Sequence, residues 1–353
     1  MKFGQVEDPS QVDFTLPKDH KSTTALLKKS KSKKLEICIG CAKWNKTDLK
    51  GFYPKGTKDE LTYYATQFNS VELNATFYRM PSGEQVEEWK DKTPANFKFF
   101  PKISNTISHF RRLLNITDVV TNFATAVLNF DEKLGMVFLQ LHDNFKPKDF
   151  DRLETFIKDW PKEVPLAVEL RNNEWFADEE IFDKTCSLFE KHKITNIIVD
   201  TAGRRDMLHM RLTTPVAFIR YVGANAESDY ERLDDWLERL KIWKKEGLEK
   251  LYFFVHQNIE KASPLLSAYF IENLKLAKDM FSKSCEYGIR AAIYIAKQSM
   301  KNRKVSQTEI AKSIDSPVAF TAKILQKLSK MNVIRSSKGP TGGFFWRYRI
   351  SIG

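Results

Sequence analysis

Eight short runs rich in β-branched and aromatic residues recur along the first 280 residues, and a helical stretch follows almost every one. The runs are 35–40, 70–73, 97–102, 135–141, 166–169, 195–200, 217–221 and 251–256. The helical stretches between and after them are 59–68, 83–92, 117–129, 149–160, 178–191, 230–245 and 263–278. Only the connection 201–215 has room for little more than a turn or two. Such alternation predicts a parallel sheet, because parallel neighbours need a long crossover and a helix fills it. Eight units in roughly 245 residues match the size of a closed (β/α)8 TIM barrel. An open doubly wound sheet is the alternative, and the chain carries neither GxGxxG nor GxxxxGK(S/T) to support it.

With 353 residues the chain exceeds one barrel, so a smaller second domain is expected. Its 42% apolar and 29% charged residues fit a globular protein and exclude a collagen-like or mostly disordered one. No apolar run approaches the roughly 18 residues of a spanning helix. The opening MKFGQVEDPS lacks the apolar core of a signal peptide, and four cysteines make no disulfide framework, so a cytoplasmic setting is expected. The net charge of +12 is unevenly placed: residues 281–353 carry 14 Lys and Arg against three Asp and Glu. An excess confined to one end points to nucleic-acid contact by that end alone. The expected organisation is a polar segment 1–34, a barrel 35–278 and a DNA-binding module 280–353. The basic run Lys28, Lys29, Lys31, Lys33 and Lys34 reads as a solvated tail, with a nucleic-acid arm as the other reading. Phe3, Phe14 and Leu16 offer docking side chains within that segment.

A barrel builds its site from residues at the C-terminal ends of its strands. Here every run ends in polar or ionisable groups. Lys43 and Trp44 follow the first; Glu72, Asn74 and Tyr78 end the second; Lys102 and then His109 and Arg111 follow the third. Gln140 and His142 end the fourth; Glu169, Arg171 and Trp175 the fifth; Asp200 the sixth; Arg220 and Tyr221 the seventh; His256 and Gln257 the eighth. Unpaired charge is costly inside a barrel, so this polar rim predicts a pocket. The expected catalytic set is Glu72, Lys102, His109, Glu169, Arg171, Asp200, Arg220 and His256. The expected ligand contacts are Lys43, Trp44, Asn74, Tyr78, Gln140, Trp175, Tyr221 and Gln257. The acids and histidines suit proton transfer. Lys102, Arg171 and Arg220 suit an anionic group, and the aromatics suit a ring or sugar face. A Zn²⁺ or Mn²⁺ site is chemically open, but no HExxH fixes one, and no metal is assigned. The pair Cys38 and Cys41 straddles a strand end with no second pair and reads as packing.

The segments ICIGCAKW, FYPKGT, QFNSVELNATFYRMP, KISNTISH, FLQLHDNF and AVELRNNEWF resemble, in this order, the YecE-like family of uncharacterised proteins. The resemblance covers about 35–278 and implies a TIM barrel of unestablished activity. The chain departs from the family pattern at Ser108-His109, where a Thr is usual, and at His256-Gln257, where an Asn pair is frequent.

After residue 278 the pattern changes. Tyr287, Ala291, Tyr294 and Ile295 recur at helical spacing, Ser306 and Glu309 form a capping box, and Ser316-Pro317 starts a third helix. Then come VIRSS, KGPTGG and FFW, which read as strand, glycine-rich tip and strand. This is a helix-turn-helix with a wing. The segment SxxxEYGIRAAIYIA to KGPTGGF resembles the IscR/NsrR-type winged-helix regulators. That resemblance implies that helix 317–330 enters the major groove and the wing holds the backbone. The expected DNA contacts are Ser316, Pro317, Thr321, Lys323, Lys327, Lys338, Gly339 and Gly342. Such regulators carry cluster-binding cysteines beyond the wing, which this chain lacks, so no iron–sulfur cluster and weak, salt-driven, truncated-module DNA binding are expected.

Three functions compete at this stage. One is an enzyme on a small anionic or sugar-like substrate that also contacts DNA. Another is a transcriptional regulator with a ligand-sensing, non-catalytic barrel. The third is a metal-dependent nucleic-acid-processing barrel.

Overall fold

The computed structural model describes residues 4–30, 34–274, 283–337, 339 and 342–346. The chain divides into two compact units, a larger one running to Leu276 and a smaller one from Ala277. No described helix is long and apolar enough to cross a membrane.

The larger unit is an α/β fold built on a curled parallel sheet. Its strands are β1 Glu36–Cys41, β2 Ser70–Leu73, β3 Lys98–Pro101, β4 Val137–Gln140, β5 Leu166–Glu169, β6 Thr195–Thr201, β7 Val216–Gly223 and β8 Lys250–Gln257. Six of them pair in the order β1-β8-β7-β6-β5-β4, and β2 pairs with β3. Single parallel bridges, Phe99 to Leu134 and Lys102 to Phe138, lead from β3 to β4. Between β1 and β2 side chains replace the backbone ladder. The Asn69 amide donates to Ile37 O at 2.8 Å and accepts from Ile39 N at 3.0 Å. The Tyr64 hydroxyl accepts from Cys41 N at 2.7 Å and donates to Ser70 O at 3.0 Å. Gly40 permits this approach, since a Cβ there would lie 2.0 Å from Ser70 O.

The helices pack outside the sheet. Asp59, Ser82 and Asp178 cap Glu60–Gln67, Gly83–Asp91 and Glu179–His192 by accepting from backbone N–H groups that a helix start leaves unpaired. One-turn helices that the sequence pattern did not signal, Ala75–Tyr78, Thr106–Phe110 and Glu174–Ala177, follow β2, β3 and β5. Inside the sheet lies a cluster of Cys38, Phe100, Met136, Phe138, Ala167, Ile197, Val199, Phe218, Tyr252 and Phe254. These residues set the inward parity: strand side chains alternate, so positions two residues further along each strand also point inward.

The N-terminal segment is docked and not a free tail, although Lys28, Lys29 and Lys34 of its basic run are exposed. Thr23 and Leu27 are buried, Ser30 Oγ donates to Glu249 at 2.6 Å, and Arg239 pairs with Asp19. The Phe14 ring lies 4.4 Å from the Arg232 guanidinium and 5.5 Å from that of Arg205. Composition missed this because the docking is carried by a few apolar side chains among polar neighbours. Phe3, Lys31 and Lys33 lie outside the described residues.

The smaller unit has helices Lys283–Met300, Gln307–Ser313 and Val318–Lys330, followed by β9 Ile334–Ser337 and β10 Gly343–Trp346 as an antiparallel wing. A bridge between Val305 and Phe344 anchors the wing to the turn before the second helix. Ala291, Ile295, Ile310, Ile314, Ile324 and Leu325 form its buried core. Ser306 accepts from Glu309 N at 3.2 Å, as the capping pattern predicts.

Candidate functional site

Inward parity at the strand ends selects Glu72 on β2, Lys102 after β3, Gln140 on β4, Glu169 and Arg171 at β5, Arg220 on β7 and His256 on β8. These residues are joined through hydrogen bonds. Arg220 donates to both oxygens of Glu72, from Nε at 2.9 Å and Nη2 at 2.8 Å, and its Nη1 donates to Glu169. His256 Nε2 lies 3.0 Å from Glu72 and 3.3 Å from Arg220. Asn74 donates to Glu72 at 2.9 Å. Gln140 donates to Glu169 at 2.9 Å and accepts from Lys102 Nζ at 2.8 Å. Arg171 bridges Glu169 at 3.1 Å and Asp143 at 3.0 Å.

Burial alone would raise the Glu72 carboxyl, but Arg220 and His256 hold it well below the usual range. Burial opposes ionisation of Glu169 in the same way, and Arg220 and Arg171 overcome it. Arg220 is thus the cation that two fully buried carboxylates require. Burial pushes the Lys102 amine down to about 8, and the positive charge of Arg220 adds to the effect.

Above this network opens a cavity of about 770 Å³, lined by Lys43, Trp44, Asn74, Tyr78, Lys102, Gln140, Arg171, Arg220, His256 and Gln257 among others. Tyr78 is 77% exposed at its edge. Asp48, Asn258 and Glu260 also line it; the first two sit in loops, Glu260 starts the short helical turn Glu260–Ala262, and no strand pattern marks them. Asp143, the second partner of Arg171, was missed for the same reason.

His109 stands beside the network, its ring 4.9 Å from both Phe77 and His142 and its Nδ1 2.8 Å from Ser108 Oγ. Burial, helped by His142 and Lys102, pushes it down to about 4.

Three expected residues lie elsewhere. Asp200 faces away from the cavity and binds Arg232 at 2.8 Å, Trp236 Nε1 at 2.7 Å and Arg205. The inward position of β6 is Thr201, whose hydroxyl donates to Gly4 O at 3.2 Å. Tyr221, one residue past the inward Arg220, is buried on the outer face and donates to Asp229 O at 2.8 Å. Trp175 is a core residue whose indole N–H donates to Phe145 O at 2.8 Å.

Among the described residues the mouth offers no three His, Cys or carboxylate groups within ligating reach of one another. His20, Glu179 and Asp183 do converge, but Arg211 already bonds His20 at 2.7 Å and Asp183 at 3.1 Å. Cys38, Cys41 and Cys186 are buried, and burial pushes the Cys41 and Cys186 thiols up to about 12.

In the smaller unit, Lys323 and Lys327 are exposed one turn apart on helix Val318–Lys330, and Pro317 is exposed at its start. Thr321 is fully buried and donates to Ser316 Oγ at 3.1 Å, so its side chain braces the turn instead of facing outward. Gly339, at φ +113°, and Gly342 sit at the wing tip, and Lys338 lies outside the described residues.

The described family "Protein of unknown function DUF72" matches residues 38–287, and "Iron-dependent Transcriptional regulator", Rrf2, matches residues 281–346. The UPF0759 protein YecE of Escherichia coli is 28% identical over 261 residues, covering 68% of this chain and 93% of that protein. A putative HTH-type transcriptional regulator of Aquifex aeolicus is 42% identical over 65 residues, 18% of this chain and 44% of that one. A DUF72 family protein from Thermotoga maritima has a TM-score of 0.56 at 25% identity, over 68% of this chain and 99% of that chain. One from Enterococcus faecalis scores 0.57 at 19% identity, over 69% and 97%, and so supports the fold alone.

Proposed function

Because the chain belongs to the DUF72 family and joins it to an Rrf2 regulator domain, we propose that it is a DNA-binding regulator whose larger domain binds a small polar ligand. The boundaries we assign are a polar, Lys-rich N-terminal segment 1–34, a barrel ending near residue 278 and a winged helix beginning near residue 280. We read the larger domain as a closed (β/α)8 barrel. The Asn69 and Tyr64 links between β1 and β2, and the bridges from β3 to β4, supply the contacts that the six-stranded and two-stranded sheets lack. Its ligand site is then the cavity at the C-terminal strand ends, where this fold places its sites.

One observation carries the ligand reading: a buried, hydrogen-bonded charge network forms the floor of a cavity of about 770 Å³ open to a polar ligand. Buried ion pairs contribute little net stability, so a network of this size is better accounted for by positioning than by folding. The metal-dependent alternative is disfavoured because Glu72 and Glu169 already share a guanidinium.

The test uses the full chain. Binding to duplex DNA is followed by fluorescence anisotropy at several salt concentrations, while a panel of small anions and sugars is screened by thermal shift. A compound that raises the melting temperature should also change DNA affinity, and DNA should change the compound's affinity by the same factor. No DNA binding at low salt would overturn the regulator reading. A panel without a stabilising compound would overturn the ligand class.

A further inference from the structure

Of the basic side chains that line the cavity, four have a carboxylate partner. Lys43 pairs with Asp48 at 3.2 Å, Arg171 with Asp143 and Glu169, Arg220 with Glu72 and Glu169, and His256 with Glu72. Lys102 is different: among the described residues its Nζ has no carboxylate within ion-pair distance. It donates to the neutral Oε1 of Gln140 at 2.8 Å and sits 4.1 Å from the centroid of the Phe77 ring. The amide orientation follows from the network, because Gln140 Nε2 must face Glu169, leaving Oε1 toward the lysine. A neutral amide therefore bridges Lys102 and Glu169. The side chain is 8% exposed, yet it forms part of the cavity wall.

We propose that Lys102 is a carbonyl-capturing amine, and that the cavity takes a small aldehyde or ketone as a covalent imine. This deepens the ligand reading of the cavity and rests on it, but does not depend on DNA binding. Glu169 and Glu72 favour the ammonium from a distance, but burial and the guanidinium groups of Arg220 and Arg171 oppose it and no carboxylate pairs with it directly, which is how amine nucleophiles are activated in proteins. The lowered value near 8 agrees with that geometry.

The step balances without an oxidant or reductant. The nitrogen lone pair forms a C–N bond with the carbonyl carbon, and the C=O π pair moves to oxygen. One amine proton passes to that oxygen, giving a carbinolamine. The nitrogen lone pair then expels the hydroxyl, which leaves as water with the second amine proton. If the imine takes a proton back from solvent, its N–H can donate to Gln140 Oε1 as the amine did.

The full chain is incubated separately with pyruvate and with glycolaldehyde, each with cyanoborohydride, at pH 7.5. Reduction fixes any imine as a stable mass addition, mapped by peptide mass spectrometry. Lys148, which is exposed, and Lys43 serve as internal references. Lys102 should be modified at least about tenfold faster than either, because more of it is neutral at that pH. The compound that labels it identifies the ligand as an oxo acid or as a sugar-like aldehyde. A Lys102→Met variant, checked for folding by circular dichroism, should lose only that modification. Modification of Lys102 no faster than Lys148 with both compounds would overturn the proposal. A compound that raises the melting temperature of both the parent chain and the Lys102→Met variant by the same amount, without labelling Lys102, would leave the cavity a ligand site and remove only the amine's role.

Discussion

Arg220 holds both carboxylate oxygens of Glu72, at 2.9 and 2.8 Å, although 148 residues separate them in the chain. The same guanidinium reaches Glu169. Two strands at opposite places in the sequence are thus tied by one side chain at the centre of the cavity floor.

Removing that cation strands two buried anions. Arg220→Met is expected to cost about 3–5 kcal/mol, the usual result of breaking one side of a buried pair. Arg220→Lys keeps the charge but loses the fork, and should lose less. Chemical denaturation of both variants checks the order; equal stability of parent and Arg220→Met would show that the network is not desolvated as described.

Acid should destabilise the larger domain in two stages. His109 and the buried His209, both pushed down to about 4 from an ordinary 6.5, stay neutral when folded and bind a proton when unfolded. Stability therefore falls as pH drops from about 6.5 toward 4. The depressed carboxyls of Glu72 and Glu169 contribute stability above their ordinary range, and it is lost as pH falls below that range through their folded values. His109→Gln should make the first stage shallower and leave the second unchanged, with His209 supplying what remains of the first. Melting temperatures between pH 7 and 4.5 read this directly, and an unchanged profile in the variant would refute it.

The N-terminal segment should matter for folding. Phe14 lies against two guanidinium groups, so Phe14→Ala is expected to cost about 1–3 kcal/mol through lost cation–π contact and apolar burial. A melting temperature identical to the parent's would mean that the segment is not docked in solution.

Lys323 and Lys327 are exposed one turn apart on helix Val318–Lys330. Replacing both with Ala should weaken DNA binding across sequences and reduce the slope of log affinity against log salt by about 1 for each lost phosphate contact. An unaltered slope would place the DNA surface elsewhere on the domain.

Residues 281–346, the match to the iron-dependent regulator family, contain a single cysteine, Cys285. Iron–sulfur clusters need several thiolates. Protein purified without oxygen should show no cluster absorption in the visible range, and a bound cluster would require ligands from another source.

What could be read from the chain alone was what local pattern controls. The eight runs of β-formers and the helices after most of them appear where periodicity places them, and Ser306 caps its helix as its spacing from Glu309 indicates. The charge confined to residues 281–353 likewise marks its module without any structure. The residues of the cavity floor were only partly legible. At the end of β7, Arg220 and Tyr221 are adjacent and both polar; consecutive strand side chains face opposite sides, so one enters the cavity and the other cannot. Only the assembled sheet selects Arg220, and it also selects Thr201 over Asp200 on β6. Which cation lacks an acid, and which segment covers the body, depend on contacts between residues far apart in sequence, as with Lys102 and Gln140 or Phe14 and Arg232. Propensity and spacing act over a few residues, whereas pairing of buried charge and docking of an apolar ring are decided by the tertiary neighbours that remove water from them.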